Sequence, residues 1–349
     1  MGVTSSLRKL DGCESKEINE FIYKNMPGKD EFVSNLGIKP FDRKNPILIG
    51  NCVSHSLCGQ IGAISEWYID ILASRYTENE TNFLTEIADK IFVNSNGEMA
   101  VRNPYRDSAK RIMACYKCVR AYVNGESVGD NEVIEALNTI DKHGLNPFNS
   151  QLCTREHSDE EIYYYIFENK LEDNVVSAIK QIGDRFLCRF IESGKLKKDS
   201  TVIIKPQWGA WSKVYGAEGD IFIDGIIYDI KSRSTEGYKG QEIAQIYAYY
   251  ICHLIEKYYD IKITDILKHP SNLQGKDVTG IGLYLSRFGE IVTCDMSNER
   301  YCLSEKQVKP IADMIALQCQ EIKNNRKRNL EQQLNVELGR ITYEVVRRS

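Results

Sequence analysis

The spacing of apolar residues changes along the chain, and each change marks a predicted element. Up to about Asn149 the spacing is helical. Phe83 to Phe92 (FLTEIADKIF) and Ser108 to Tyr122 (SAKRIMACYKCVRAY) repeat apolar positions three and four apart. Breakers fall at Asn103-Pro104 and at Asn146-Pro147-Phe148-Asn149-Ser150, and the second is the preferred boundary. Glu172 to Ile191 then places Val175, Ile179, Ile182, Phe186 and Phe190 on one stripe, which predicts a helix packed on a core. Thr201 to Lys205 (TVIIK) is a short β-branched run. Two strand-like runs flank Asp224-Gly225, a helix is expected from about Gly240 to Tyr259, and a strand pair fills Gly280 to Asp295 (GIGLYLSRFGEIVTCD). This order predicts an α/β fold, a mixed sheet flanked by helices, after an amino-terminal mainly helical region. The expected organisation is residues 1–150 as a helical region of unassigned role, 151–303 as the α/β unit and 304–349 as charged carboxy-terminal helices. The NNRKRN run there (Asn324 to Asn329) reads as solvated surface.

The segment Gly219 to Lys231 carries the most information. Asp-Gly between alternating strands is a strong hairpin signal, because both turn positions need positive φ. A two-residue loop then fixes the register: Ile223 faces Ile226, Phe222 faces Ile227, Ile221 faces Tyr228, Asp220 faces Asp229 and Glu218 faces Lys231. Alternation puts Ile221, Ile223, Ile226, Tyr228 and Ile230 on one wholly apolar surface. The other surface gathers Glu218, Asp220, Asp229 and Lys231. Opposed residues have Cβ atoms about 4.5–5.5 Å apart, so the two aspartates repel unless a cation sits between them. A hard divalent ion such as Mg²⁺ suits that role. The following helix spaces Gln241, Gln245 and Tyr249 four apart, on one stripe.

Composition narrows the setting without identifying the chemistry. The 349 residues are 42% hydrophobic and 27% charged, with a net charge of −4, so no global cationic field advertises a polyanionic partner. A local basic groove remains compatible with that balance. No segment has the continuous apolar length of a membrane span, and the first residues lack the apolar region of a signal peptide. The Met-Gly start with Ser at the sixth position touches a myristoylation pattern that short sequences often match by chance. Eleven cysteines without a leader read as reduced thiols in a cytoplasm.

These residues resemble the PD-(D/E)XK nuclease superfamily, and its RecB-type branch most. Gly219-Asp220-Ile221 matches the first carboxylate, Asp229-Ile230-Lys231 the acid-x-lysine, and Gln245 to Tyr249 the Gln-xxx-Tyr helix. Tyr284 to Gly289 is similar to a Tyr-x-x-Arg-Tyr/Phe-Gly segment of standalone bacterial members. The resemblance covers about Val175 to Asp295. It implies a restriction-endonuclease-like fold and Mg²⁺ (or Mn²⁺) held by Asp220 and Asp229. Lys231 would then activate the attacking water or stabilise charge, with Gln245 and Tyr249 positioning the site or touching the nucleic-acid backbone. The implied reaction is hydrolysis of DNA phosphodiesters in the cytoplasm, in defence against foreign DNA. RNA is an open alternative substrate, a non-catalytic nucleic-acid-binding scaffold is the alternative role, and a homodimer would suit double-strand cutting. The family's first-helix acid has no clear counterpart. Asp184 is preferred over Glu192, and the branch's histidine is absent. Glu218 is either an extra ligand or a partner for Lys231.

Other groups stay open. Cys52, His55 and Cys58 with Cys115 and Cys118 are spaced for zinc, although the last two fall on an apolar helical pattern. Lys205, Gln207, Trp208, Trp211 and Lys213 form a basic-aromatic loop that either contacts nucleic acid or is a surface loop with buried tryptophans. Arg287 is an equally open phosphate contact.

Overall fold

The computed structural model describes residues 13–35, 46–48, 55–78, 115, 117–143, 171–208, 217–233, 235, 237–259, 272–273, 275–314, 316–317 and 324. In chain order they form α1 (Cys13–Asn25), a 3₁₀ turn (Lys29–Glu31), β1 (Val33–Ser34), α2 (His55–Thr77), α3 (Asp130–His143) and α4 (Asp173–Glu192). There follow β2 (Val202–Ile204), β3 (Ile221–Ile223), β4 (Ile226–Lys231), α5 (Gly240–Tyr258), β5 (Gly280–Leu285) and β6 (Glu290–Asp295). The strands make one six-stranded sheet in the order β1-β6-β5-β4-β3-β2. β4 and β5 are parallel, joined by the α5 crossover, and every other neighbouring pair is antiparallel. The fold is therefore α/β, with a mixed sheet.

The apolar stripe of α4 seats the helix on one face of that sheet. Ile182, Phe186 and Phe190 pack with Ile221, Ile223, Tyr228, Ile230, Tyr284 and Ile291. Phe190 meets the edges of Tyr228 at 5.1 Å and Tyr284 at 5.2 Å between ring centroids. Each such aromatic contributes roughly 1.5–3 kcal/mol by leaving water. α2 crosses α4 at Gly183. A Cβ there would lie 2.5 Å from Leu72 Cδ1 and from Tyr68 Cε1, so only glycine permits this approach. The close crossing carries Ile69 and Ala73 of α2 into the sheet's own core.

The opposite face carries α5, whose Ile243, Ala244, Ile246 and Ile251 cluster with Phe222, Ile227, Ile281, Leu283 and Leu285. Ile18, Ile22 and Phe32 join this cluster, and β1 extends the sheet beside β6. Residues 13–35 thus complete the α/β layer, although their position in the chain groups them with the helical region. A separate helical cluster holds Ile64, Trp67 and Tyr68 of α2, Val119 and Tyr122, Ile134 and Leu137 of α3, and Val175 and Ile179 of α4. The expected helix at Phe83 to Phe92 and the boundary at Asn146 to Ser150 lie outside the described residues. So does most of the expected tail, of which residues 305–314 are helical. Among the described residues no helix is long and apolar enough to cross a membrane.

Candidate functional site

The hairpin forms in the expected register, with Ile223 opposite Ile226, Phe222 opposite Ile227 and Ile221 opposite Tyr228. Its turn residues have φ of 45° at Asp224 and 90° at Gly225, the left-handed pair that a two-residue loop requires. β3 stops at Ile221, while β4 runs on to Lys231 against β5. Where the ladder ends, the N–H of Ile230 donates instead to Asp220 Oδ2 at 2.5 Å. This charge-assisted bond pins Asp220 against β4. Asp229 is buried (1% exposed), and Lys231 Nζ lies 2.5 Å from its Oδ2.

The α5 face supplies the support. Lys231 Nζ donates to Gln245 Oε1 at 3.5 Å, and Gln245 Nε2 donates to the Tyr249 hydroxyl at 2.9 Å. The Tyr249 ring stacks on Trp208, with centroids 5.0 Å apart and planes 14° from parallel. Gln241, on the same stripe, is exposed. Burial pushes the Asp229 carboxyl up and Asp220 adds to the shift, while Lys231 opposes it. For Lys231 burial acts downward, but Asp229 and Asp220 outweigh it and hold the ammonium above its ordinary range. Burial and the same two aspartates push the Tyr249 hydroxyl well up.

Two acids that the sequence analysis did not single out complete the cluster. Lys205, just after β2, has φ of 49° ahead of Pro206. L-residues avoid that conformation at a cost on the order of 1–3 kcal/mol. Its N–H donates to the Asp220 carbonyl at 3.0 Å, and its side chain turns inward. The ammonium is ion-paired with Glu66 and lies 3.9 Å from both Asp70 Oδ2 and Asp220 Oδ1. Asp70 sits one helical turn beyond Glu66 on α2. It is buried, and among the described residues neither of its carboxylate oxygens has a hydrogen-bond partner. Burial, with Asp220 and Glu218 adding, drives its carboxyl well up.

Among the described residues, four acids (Glu66, Asp70, Asp220, Asp229) thus stand with two ammonium groups (Lys205, Lys231), so acids outnumber cations. Burying surplus acids is costly, and a divalent cation would offset that cost. The donor set, all hard oxygens around an orphaned carboxylate, fits Mg²⁺ or Mn²⁺. Among the described residues no three acid, histidine or cysteine side chains already converge as a finished metal cluster. The two lysines stand among the acids. The signal for Asp70 was present in the sequence as a lone carboxylate inside the apolar run Trp67-Tyr68-Ile69-Asp70-Ile71-Leu72.

Of the other expected site residues, one stands at the rim of this cluster and the rest lie elsewhere. Glu218 is exposed and accepts from Gln207 Nε2 at 2.8 Å across a β-bridge that continues the β2–β3 register; its charge reaches Asp70, and the β3–β4 ladder stops at Ile221, short of the expected Glu218–Lys231 pair. Asp184 is on the exposed side of α4, with Lys180 and Asp130 as its charged neighbours. All sheet-facing positions of that helix are apolar, so its acids fall away from the hairpin. Glu192 accepts from Cys188 and Arg189. Trp208 is fully buried under Tyr249, so its ring is not free to stack on a base. Lys205 is likewise interior. Arg287 is buried, its Nε donates to the Ile47 carbonyl at 2.7 Å, and its own carbonyl accepts from Arg185 Nη1 at 2.6 Å. It braces the β5–β6 turn.

Lys213 and Trp211 lie outside the described residues, as do Cys52 and the side chains of His55 and Cys58. Cys115 and Cys118 are free thiols packed on the helical cluster, and burial pushes both up, away from the thiolate form. No protein-family model, curated protein or solved structure matches the chain.

Proposed function

We propose that this chain is a divalent-metal-dependent nuclease with a restriction-endonuclease-like core, of the PD-(D/E)XK type, that hydrolyses phosphodiester bonds in DNA. The observation that carries the reading is the convergence of Asp220, Asp229 and Lys231 from the hairpin with a buried Asp70 from α2 whose oxygens lack a hydrogen-bond donor among the described residues. The run from α4 through three antiparallel strands, a crossover helix and a parallel strand supports it.

Asp220, Asp229 and Asp70 would hold Mg²⁺ or Mn²⁺. When bound, the ion supplies Lewis-acid stabilisation of phosphoryl charge and makes an adjacent water more acidic. Asp220, fixed by the Ile230 N–H, keeps one oxygen in place. Lys231, kept protonated by Asp229 and Asp220, offers a cation to the negative charge that grows on the phosphoryl oxygens. Gln245 and Tyr249 are positioning residues. They hold the lysine from behind, and Trp208 closes that side to water.

The test is incubation of linear and supercoiled DNA, and in parallel RNA, with Mg²⁺ or with EDTA. The reading expects metal-dependent cleavage that Lys231→Ala lowers by a factor on the order of 10²–10³ while binding persists. Metal-independent binding with no cleavage of either polymer would overturn it. That outcome would favour the second reading, a non-catalytic nucleic-acid-binding protein, for which the ion pairing of Glu66 and Asp229 by resident lysines speaks. A role in defence against foreign DNA extends the proposal. It predicts that cells lacking the protein become more sensitive to phage or plasmid entry.

A further inference from the structure

We infer that Lys205 is a tethered stand-in for a metal ion: its ammonium fills the Glu66–Asp70–Asp220 cluster in the metal-free protein and must be displaced when a divalent cation enters. The inference rests on the nuclease reading only in taking Asp70 and Asp220 as cation ligands.

Four observations carry it. First, the lysine is buried (5% exposed), and its three ion-pair partners among the described residues are all carboxylates, from α2 and the hairpin. Second, the match is loose. Glu66 is in direct contact, whereas Asp70 and Asp220 are each 3.9 Å away, beyond hydrogen-bond range. Third, Asp70 keeps both oxygens without a hydrogen-bond donor although it is wholly buried, so one ammonium does not satisfy the cluster. Fourth, the backbone is arranged to put the side chain there. Lys205 adopts a positive φ at a non-glycine position, its N–H bonds to Asp220, and its carbonyl accepts from Asn272 Nδ2 at 3.2 Å. A strained residue held by bonds on both sides implies that the chain gains something from its inward course. A single positive charge on a flexible stem keeps three like-charged groups together until a smaller, doubly charged ion replaces it. The lysine then sets a threshold. Metal uptake has to overcome the ion pair with Glu66, and the site stays folded while empty of metal.

Titration of the full chain with MnCl₂ by calorimetry, together with metal-free melting curves, tests the assignment. Lys205→Gln removes the competitor, so Mn²⁺ binding is expected to tighten by about tenfold or more and the metal-free melting temperature to fall. Lys205→Arg keeps the charge and grips carboxylates in two places, so its Mn²⁺ affinity is expected to drop below that of wild type. Wild-type binding that Lys205→Gln leaves equal or weaker overturns the assignment, because the lysine is then a brace that organises the acids. Should Lys205→Gln fail to fold, Lys205→Arg decides, and affinity equal to or above wild type overturns the assignment. Absence of Mn²⁺ binding in wild type and both variants overturns this inference and the nuclease reading together. Binding without improvement overturns this one alone.

Discussion

Replacing Asp70 by asparagine separates a carboxylate kept for function from one kept for stability. The residue lies inside α2, with neither oxygen hydrogen-bonded, 3.9 Å from a lysine that is already paired with Glu66. An acid in that setting is destabilising when charged, because its desolvation is not offset. Asparagine has the same shape and no charge. Removing the cost of burying that acid, borne as an unsatisfied charge or as proton uptake, returns about 1–3 kcal/mol. For a chain of this size that corresponds to a rise of about 1–4 °C in the metal-free Tm. The gain should vanish when metal is present, because Mn²⁺ would stabilise wild type through Asp70 and not the variant. The assay is differential scanning calorimetry of both proteins at pH 8, with EDTA and with millimolar MnCl₂. A metal-free Asp70→Asn protein that melts lower than wild type would refute the reasoning. It would show that the carboxylate has structural partners and that the cluster is not under charge stress.

Three further outcomes follow from the packing. Tyr249→Phe keeps the stack on Trp208 but removes the hydroxyl that Gln245 donates to. Supporting bonds of this kind are worth roughly 10–100-fold, so kcat should fall by about tenfold with KM nearly unchanged, and an unchanged kcat would deny Gln245 its positioning role. His253, buried in α5, has its pKa pushed down to about 4, by burial first and by Lys257 second, with Asp277 opposing. Since the folded value lies below the unfolded one of about 6.5, neutral His253 favours folding fully above pH 6.5, and this is lost as pH falls towards 4. Urea unfolding should show wild type losing about 2 kcal/mol more than His253→Gln between pH 7.5 and 5, and parallel profiles would show that the imidazole is accessible to protons in the folded state. Gly183→Ala would force a Cβ to within 2.5 Å of Tyr68 and Leu72, costing about 1–3 kcal/mol in chemical denaturation. No loss of stability would mean that α2 does not cross α4 so closely.

The hairpin was legible because its register follows from one turn. Asp224-Gly225 admits a single pairing, and the alternation of Ile221, Tyr228 and Ile230 against Asp220, Asp229 and Lys231 then assigns the faces. The α4 stripe was legible for the same local reason. The limits of local reading begin where the strands separate. The turn extrapolates to Glu218 opposite Lys231, but the β3–β4 ladder ends at Ile221, and Glu218 pairs on the β2 side, with Gln207. Nothing within the hairpin signals that departure. The missing acid could not be found by looking one helix upstream, since α4 needs its inward face for Phe186 and Phe190. The acid proposed as the third ligand, Asp70, lies on α2, some 150 residues earlier, and reaches the hairpin through a crossing that depends on Gly183. Lys205 and Trp208 read as a basic-aromatic surface loop, because charge and aromaticity alone do not tell which way a side chain turns. The positive φ at Lys205 and the Tyr249 ring above Trp208 send both inward.

The central proposal is a divalent cation held by Asp220, Asp229 and Asp70. Crystals of the full chain soaked in MnCl₂, with anomalous data collected near the manganese edge, address this directly. The predicted result is a single strong peak about 2.0–2.4 Å from carboxylate oxygens of Asp220 and Asp229, with the Lys205 ammonium moved away from Asp70. A saturating soak that leaves no peak between those two aspartates, with Lys205 still paired to Glu66, would contradict it.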